Sequence, residues 1–141
     1  MKIMAVDYGD ARTGLAVCDR TETLASPVGT LQEKSMAKVA EKIVYASREF
    51  EVGMVVLAVP VNMDGTEGAR AQKTRKLGGM LEKIIDLPVV YWDERNTTKS
   101  AETLLSATNT YGKKRKELLD TVAASIILES YLDYRRNQSE S

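Results

Sequence analysis

The chain reads as an α/β fold, with a central mixed five-stranded sheet, three antiparallel strands and then two parallel, flanked by helices. Two observations predict this. The N-terminal part consists of short apolar runs separated by Gly, Asp and Pro, the mark of strands joined by tight turns. The rest alternates helical spacing with nearly continuous apolar runs, as in β–α units whose strands are covered on both faces. The 141 residues suffice for one core, so a single domain is expected over 1–136, with 137–141 as a disordered tail.

Lys2 to Val6 and Thr13 to Cys18 are apolar runs around Tyr8-Gly9-Asp10-Ala11-Arg12, which predicts an antiparallel hairpin. Pro27 to Leu31 is a third, weaker strand. From Ser35 to Phe50 the apolar residues fall at helical spacing, with Ser35 as N-cap. Met54 to Val59 is a central parallel strand closed by Pro60, and Val61 to Thr66 is a loop with a turn at Asp64-Gly65. A second helix is expected over Glu67 to Ile85, its solvent face carrying Arg70, Lys73, Arg75, Lys76 and Lys83. Pro88 to Trp92 is the second parallel strand. Asn96-Thr97-Thr98 caps a third helix to about Ala107, and Thr108 to Gly112 is a loop followed by the basic run Lys113 to Lys116. The last helix reaches about Arg135 and is expected to bury Leu119, Val122, Ala123, Ile126 and Ile127.

Composition narrows the chemistry. Twenty basic and twenty acidic side chains cancel, so only local clusters can attract a nucleic acid. Cys18 has nothing to pair with and lies in a strand, as in a reduced core residue of a cytoplasmic protein. No apolar run approaches the ~20 residues needed to span a bilayer, so no membrane partner is expected. The absence of histidine excludes Ser-His-Asp and Cys-His triads and histidine-ligated zinc. An enzyme built from this chain relies on carboxylates, a carboxylate-held metal, or lysine.

Ligands of open α/β sheets gather beyond the C-terminal ends of the parallel strands. Asp7 ends the first strand and Asp93-Glu94 the last, while Asp120 borders the apolar stripe of the final helix. Carboxylates converging without histidine suit Mg²⁺ or Mn²⁺ and phosphodiester hydrolysis. Each acid also has a plainer reading. Asp7 beside Gly9 fits a turn aspartate, Asp93-Glu94 a helix start, and Asp120 a surface pair with Lys116. Lys113 to Lys116 are a solvated loop or a phosphate contact. Tyr91, Trp92 and Tyr111 stack on bases or belong to the core. Asn62, Asp64 and Thr66 contact substrate, or Asp64 and Glu67 open the helix as a capping box.

Four motifs together resemble the YqgF/RuvX family of RNase H-like nucleases. They are Val6-Asp7-Tyr8-Gly9 through Arg12 and Gly14; Val59-Pro60-Val61-Asn62-Met63-Asp64-Gly65-Thr66-Glu67-Gly68; Asp93-Glu94-Arg95 with Thr97-Thr98; and Lys116 to Asp120 with Ala123-Ala124 and Ile127-Leu128. The family is described both as Holliday junction resolvases and as nucleases maturing the small-subunit (16S) rRNA precursor. The resemblance implies an RNase H-like domain and metal-dependent hydrolysis. It also implies acidic catalytic and metal-binding positions at Asp7, Asp93 or Glu94, and Asp120. Substrate contacts are expected at Gly9, Arg12, Asn62, Asp64, Arg95, Lys113 and Lys116, with Gly9 and Gly14 permitting the tight return.

Two departures stand out. Ala58-Val59-Pro60 replaces the family's frequent Gly-Leu-Pro, and the fourth strand ends in Pro60 and Asn62 where related resolvases place an acid. Asp93-Glu94 must substitute: Asp93 is nearer the strand end, Glu94 has the longer reach. The expected partner is structured RNA, with branched DNA as the alternative and a monomer or homodimer as the assembly. A non-catalytic RNA- or protein-binding module is a reading of another class. An actin-like ATPase is disfavoured because 141 residues cannot enclose a nucleotide.

Overall fold

The computed structural model describes residues 1–97 and the helix 112–140, the latter with its side chains over 122–138. The strands are β1 (Ile3–Asp7), β2 (Arg12–Cys18), β3 (Ala25–Gln32), β4 (Met54–Val59) and β5 (Val89–Asp93). They form one five-stranded sheet in the order β3-β2-β1-β4-β5. The β1–β2 and β2–β3 pairs are antiparallel, and the β1–β4 and β4–β5 pairs parallel, as the sequence predicts.

Helices α1 (Met36–Glu49) and α2 (Ala69–Ile84) cover one face, and α3 (Gly112–Glu140) covers the other. β1 is the central strand, and its alternation feeds two cores. Met4 and Val6 join Leu15, Val17, Val55 and Leu57 against α1 and α2. Ile3 and Ala5 join Ala16, Cys18, Val56 and Ala58 against α3. Each fully buried Ile, Leu or Val removes apolar area worth about 1.5–3 kcal/mol from water.

The Ser35 hydroxyl caps α1 by accepting from the Lys38 amide at 3.4 Å. Helix α2 begins at Ala69, later than expected. Gly68 is its N-cap, and the anticipated Asp64/Glu67 capping box does not form. Asp64 instead accepts from Thr66 within the loop, and Glu67 pairs with Arg75.

After β5 the chain enters a short 3-10 turn, Glu94–Asn96, capped by the Asp93 carboxylate. The expected helix from Asn96 to Ala107 and the loop from Thr108 fall mostly outside the described residues. The basic run Lys113 to Lys116 lies within α3 and not in a loop, because Lys, Arg and Glu are strong helix formers. The helix also continues to Glu140, through the stretch expected to be a tail. No Gly or Pro follows Gly112 to stop it. Its buried stripe is rotated slightly from expectation: Ile126 and Ile127 are buried, but Ala124, Leu128, Tyr131 and Leu132 replace the half-buried Val122 and Ala123. No helix among the described residues is long and apolar enough to cross a membrane.

Two contacts make tests of the packing. A Cβ at Gly78 on α2 would lie 2.7 Å from the Tyr91 ring carbons, and a rigid ring cannot yield cheaply. Gly78→Ala should therefore cost about 1–3 kcal/mol, with Tyr91→Leu in the double variant recovering part of it. Urea unfolding checks this, and an unchanged midpoint refutes the close approach. Arg135 on α3 donates to Glu22 in the β2–β3 turn at 2.6 Å, which holds the Glu22 carboxyl below the usual glutamate range. A depressed acid contributes stability above its unfolded pKa and loses it as pH falls. Arg135→Ala should cost about 0.5–1 kcal/mol at neutral pH, with the deficit shrinking as the pH falls through and below the usual glutamate range.

Candidate active site

Because β1, β4 and β5 are parallel, Asp7, Pro60 and Asp93 all emerge at one edge of the sheet. Asp7 is half-buried and pairs with Gly14 across the hairpin. It is two residues beyond Ala5, so strand alternation gives it the α3 face. Arg12 takes the same face, two residues before Gly14. The turn between them requires glycine at position 9, where a Cβ would collide with the Arg12 carbonyl. Gly14 lies in β2 and not in the turn itself.

Asp93 takes the other face. It pairs with Val59, and alternation from Val89 and Tyr91 puts it on the side of α1 and α2. Its carboxylate receives the Arg95 guanidinium at 2.7 and 3.0 Å and the Arg95 amide at 2.9 Å. These bonds hold the carboxyl below the usual aspartate range. Glu94 has the opposite character. Burial pushes its carboxyl above the usual range; Arg70, in the first turn of α2, partly offsets the burial, and Asp93 adds to it. The two adjacent acids thus differ sharply, one neutralised by a bidentate cation and the other half-buried beside a cation.

The loop after β4 lies between them and Asp7, since β4 separates β1 from β5. It closes on itself through Asn62 N to Thr66 O at 2.9 Å, Gly65 N to Asn62 O at 2.9 Å, and a bridge between Val61 and Glu67. Gly65 sits at φ 90°, where a side chain is strained. Two arginines tether the loop. Arg95 donates to the Asn62 carbonyl at 3.4 Å, and Arg75 grips Glu67 at 2.6 and 2.8 Å while lying over the Tyr91 ring.

Asp120 lies on α3, four residues before Ala124 and seven before Ile127, on the helix register of the buried stripe. The Glu22–Arg135 pair fixes the C-terminal part of α3 at the opposite edge of the sheet, so the helix runs back from there toward the Asp7 edge. Lys113 and Lys116 occupy its first turns, and Tyr111 lies outside the described residues. Among the described residues no three acidic, Cys or His side chains cluster as a metal site.

The expected site residues therefore divide. Asp7, Asp93, Glu94, Gly9, Arg12, Asn62, Asp64 and Arg95 share one edge, but Asp7 and Asp93 sit on opposite faces. Arg95 and Asp64 are engaged within the protein. Asp10 pairs with Lys73 at 3.1 Å, and Asp19 organises the β2–β3 turn through Thr21, Thr23 and Leu24. Tyr91 and Trp92 pack within the protein, Trp92 edge-on to Tyr131 at 5.3 Å. Sequence reasoning passed over Arg70 as one of several solvent-facing bases; its place in the first turn after the β4 loop was the available signal. Arg95→Ala should release the tether on the loop after β4 and accelerate amide hydrogen exchange at residues 62–66 while β1 and β4 stay protected. Unchanged exchange in the loop would refute the tether.

Residues 1–134 match the family described as RuvX, Holliday junction resolvase. A relative from Thermoanaerobacter pseudethanolicus, provisionally named a pre-16S rRNA nuclease, is 37% identical over 98% of this chain and 100% of its own. One from Halothermothrix orenii with the same name is 42% identical over 96% of both. Among solved structures, Thermus thermophilus RuvC bound to a Holliday junction superposes with a TM-score of 0.62 at 13% identity over 96% of both chains. The fowlpox virus Holliday junction resolvase does so with a TM-score of 0.54 at 16% identity, over 95% of this chain and 99% of its own. The mixed sheet and its flanking helices are thus the RNase H-like fold of these resolvases. Matched over residues 1–134 and sharing over a third of its residues with full-length relatives, this chain belongs to the RuvX family.

Proposed function

We propose that this protein is a divalent-metal-dependent endonuclease acting on structured RNA, with the precursor of 16S rRNA as its substrate. The observation that carries the reading is Asp7, a half-buried carboxylate delivered by the central strand to the C-terminal edge, with Arg12 on its face and Glu94 at the same edge. The names of the nearly full-length relatives support the substrate.

The donor set fits a hard cation: carboxylate oxygens and no histidine favour Mg²⁺ or Mn²⁺. Asp7, Glu94 and Asp120 are the residues that would hold it. Asp93 is the weaker candidate of the pair, because alternation along β5 turns it away from Asp7 and it is committed to Arg95. When bound, such an ion supplies Lewis acidity at the scissile phosphate. Arg12 meets the phosphate backbone beside Asp7, and Arg70 adds positive charge beside Glu94. Gly9, Asn62 and Asp64 border the same edge as backbone and loop contacts. Lys113 and Lys116, in the first turns of α3, extend the phosphate track.

The family's description favours a second reading, cleavage of branched DNA. That activity needs one cut on each of two strands and hence a dimer presenting two sites, whereas RNA processing is served by a monomer. A side-by-side assay of a precursor 16S rRNA fragment and a four-way DNA junction separates the two. Asp7→Asn and Glu94→Gln should each lower Mg²⁺- or Mn²⁺-dependent cleavage by about a hundredfold or more, and Asp93→Asn by much less. Glu94→Gln removes a half-buried charge, so its thermal midpoint in metal-free buffer should not fall. Cleavage that survives Asp7→Asn overturns the assignment.

A further inference from the structure

Met63 stands at the tip of the loop after β4 and is 94% exposed, the most exposed of the large apolar side chains among the described residues. Its thioether and methylenes gain nothing from packing where they stand. Yet the loop that carries them is tightly built. Asn62 and Thr66 bond through backbone and side chain, Asp64 accepts from both Thr66 groups at 3.0 and 2.6 Å, and Gly65 turns the chain at positive φ. Arg95 and Arg75 tether the loop from the turn after β5 and from α2. A loop held this firmly keeps its apolar tip in water, where a slack one could fold it down.

Position gives the tip its meaning. β4 lies between β1 and β5, which stand about 10 Å apart across it. The loop therefore rises between the Asp7 and Glu94 positions. A strand lying over that edge presents its bases to whatever projects there. Unbranched Met side chains are polarisable and contact π-faces well, and apolar wedges are a common means of parting a base step.

Resting on the nuclease reading above, we propose that Met63 is a wedge that enters the base stack of the nucleic-acid substrate beside the cleaved phosphate. It makes no bond to the reacting atoms. It is a positioning residue, opening the strand so that its phosphate settles on the carboxylates. Asn62 and Asp64 frame the tip but are taken up in holding the loop, which leaves Met63 as the group free to leave the protein surface.

The test uses 2-aminopurine, whose fluorescence rises on unstacking, tiled through a precursor 16S rRNA fragment and, separately, through a four-way DNA junction. The full-length Asp7→Asn protein in Mg²⁺ keeps the probe intact. A rise localised to one step with Asp7→Asn, and lost in Asp7→Asn/Met63→Ala, is the expected result. In the otherwise wild-type protein, Met63→Ala should slow cleavage of paired substrate by about tenfold, but hardly affect substrate already unpaired at that step. Met63→Leu should restore the rate. Circular dichroism and thermal midpoint should match wild type, since the side chain is solvent-exposed. No rise at any position on either probe, or equal cleavage of both substrates by wild type and Met63→Ala, overturns the wedge. A localised, Met63-dependent rise with no cleavage by wild type upholds the wedge and overturns the nuclease reading instead.

Discussion

Everything at the candidate site depends on the double-sided burial of β1. Ile3, Met4, Ala5 and Val6 are all at 0% exposure, alternately committed to the core under α3 and the core under α1 and α2. A slip of one residue would exchange both sets of side chains and carry Asp7 to the wrong face. The parallel pairing with β4 and the antiparallel pairing with β2 lock the register from both sides. The carboxylate is thus placed by hydrophobic packing that has no chemical role of its own.

Around that fixed point the edge is organised by cations. Arg95 neutralises Asp93 and ties β5 to the β4 loop, and Arg75 holds Glu67 while covering Tyr91. These pairs are partly solvated, so each adds little stability. Their effect is geometric, since together they set the loop between β1 and β5. They also separate two neighbouring acids in character. Asp93 is held ionised by its partner, while burial works against the charge of Glu94 and Arg70 partly eases it.

Much of this was legible in the residues. The run Met54 to Val59 could only be a strand covered on both faces, and it is. The spacing from Ser35 onward specified α1 and its cap. Errors arose where local signals compete. Asp64 and Glu67 match a capping box in spacing, but each found a better partner, Thr66 within the loop and Arg75 across one helix turn and more. Residues 137–141 read as a tail, although nothing in them stops a helix already propagating and it runs to Glu140. The stripe of α3 shifted because a long helix meets a twisted sheet at positions that periodicity alone does not choose.

The sequence by itself determined the mixed sheet, the order of its elements and the set of acids at its C-terminal edge, because strand alternation and turn residues act locally. It also identified the family through four motifs in order. Only the tertiary structure decided that Asp93 stands on the face opposite Asp7. That follows from pairing between β4 and β5, which are separated in sequence by α2, and from an arginine that reaches across to the β4 loop. It decided as well that Met63 stands in solvent on a braced loop. Exposure depends on which chains fold over a residue, and spacing along the chain carries no record of that.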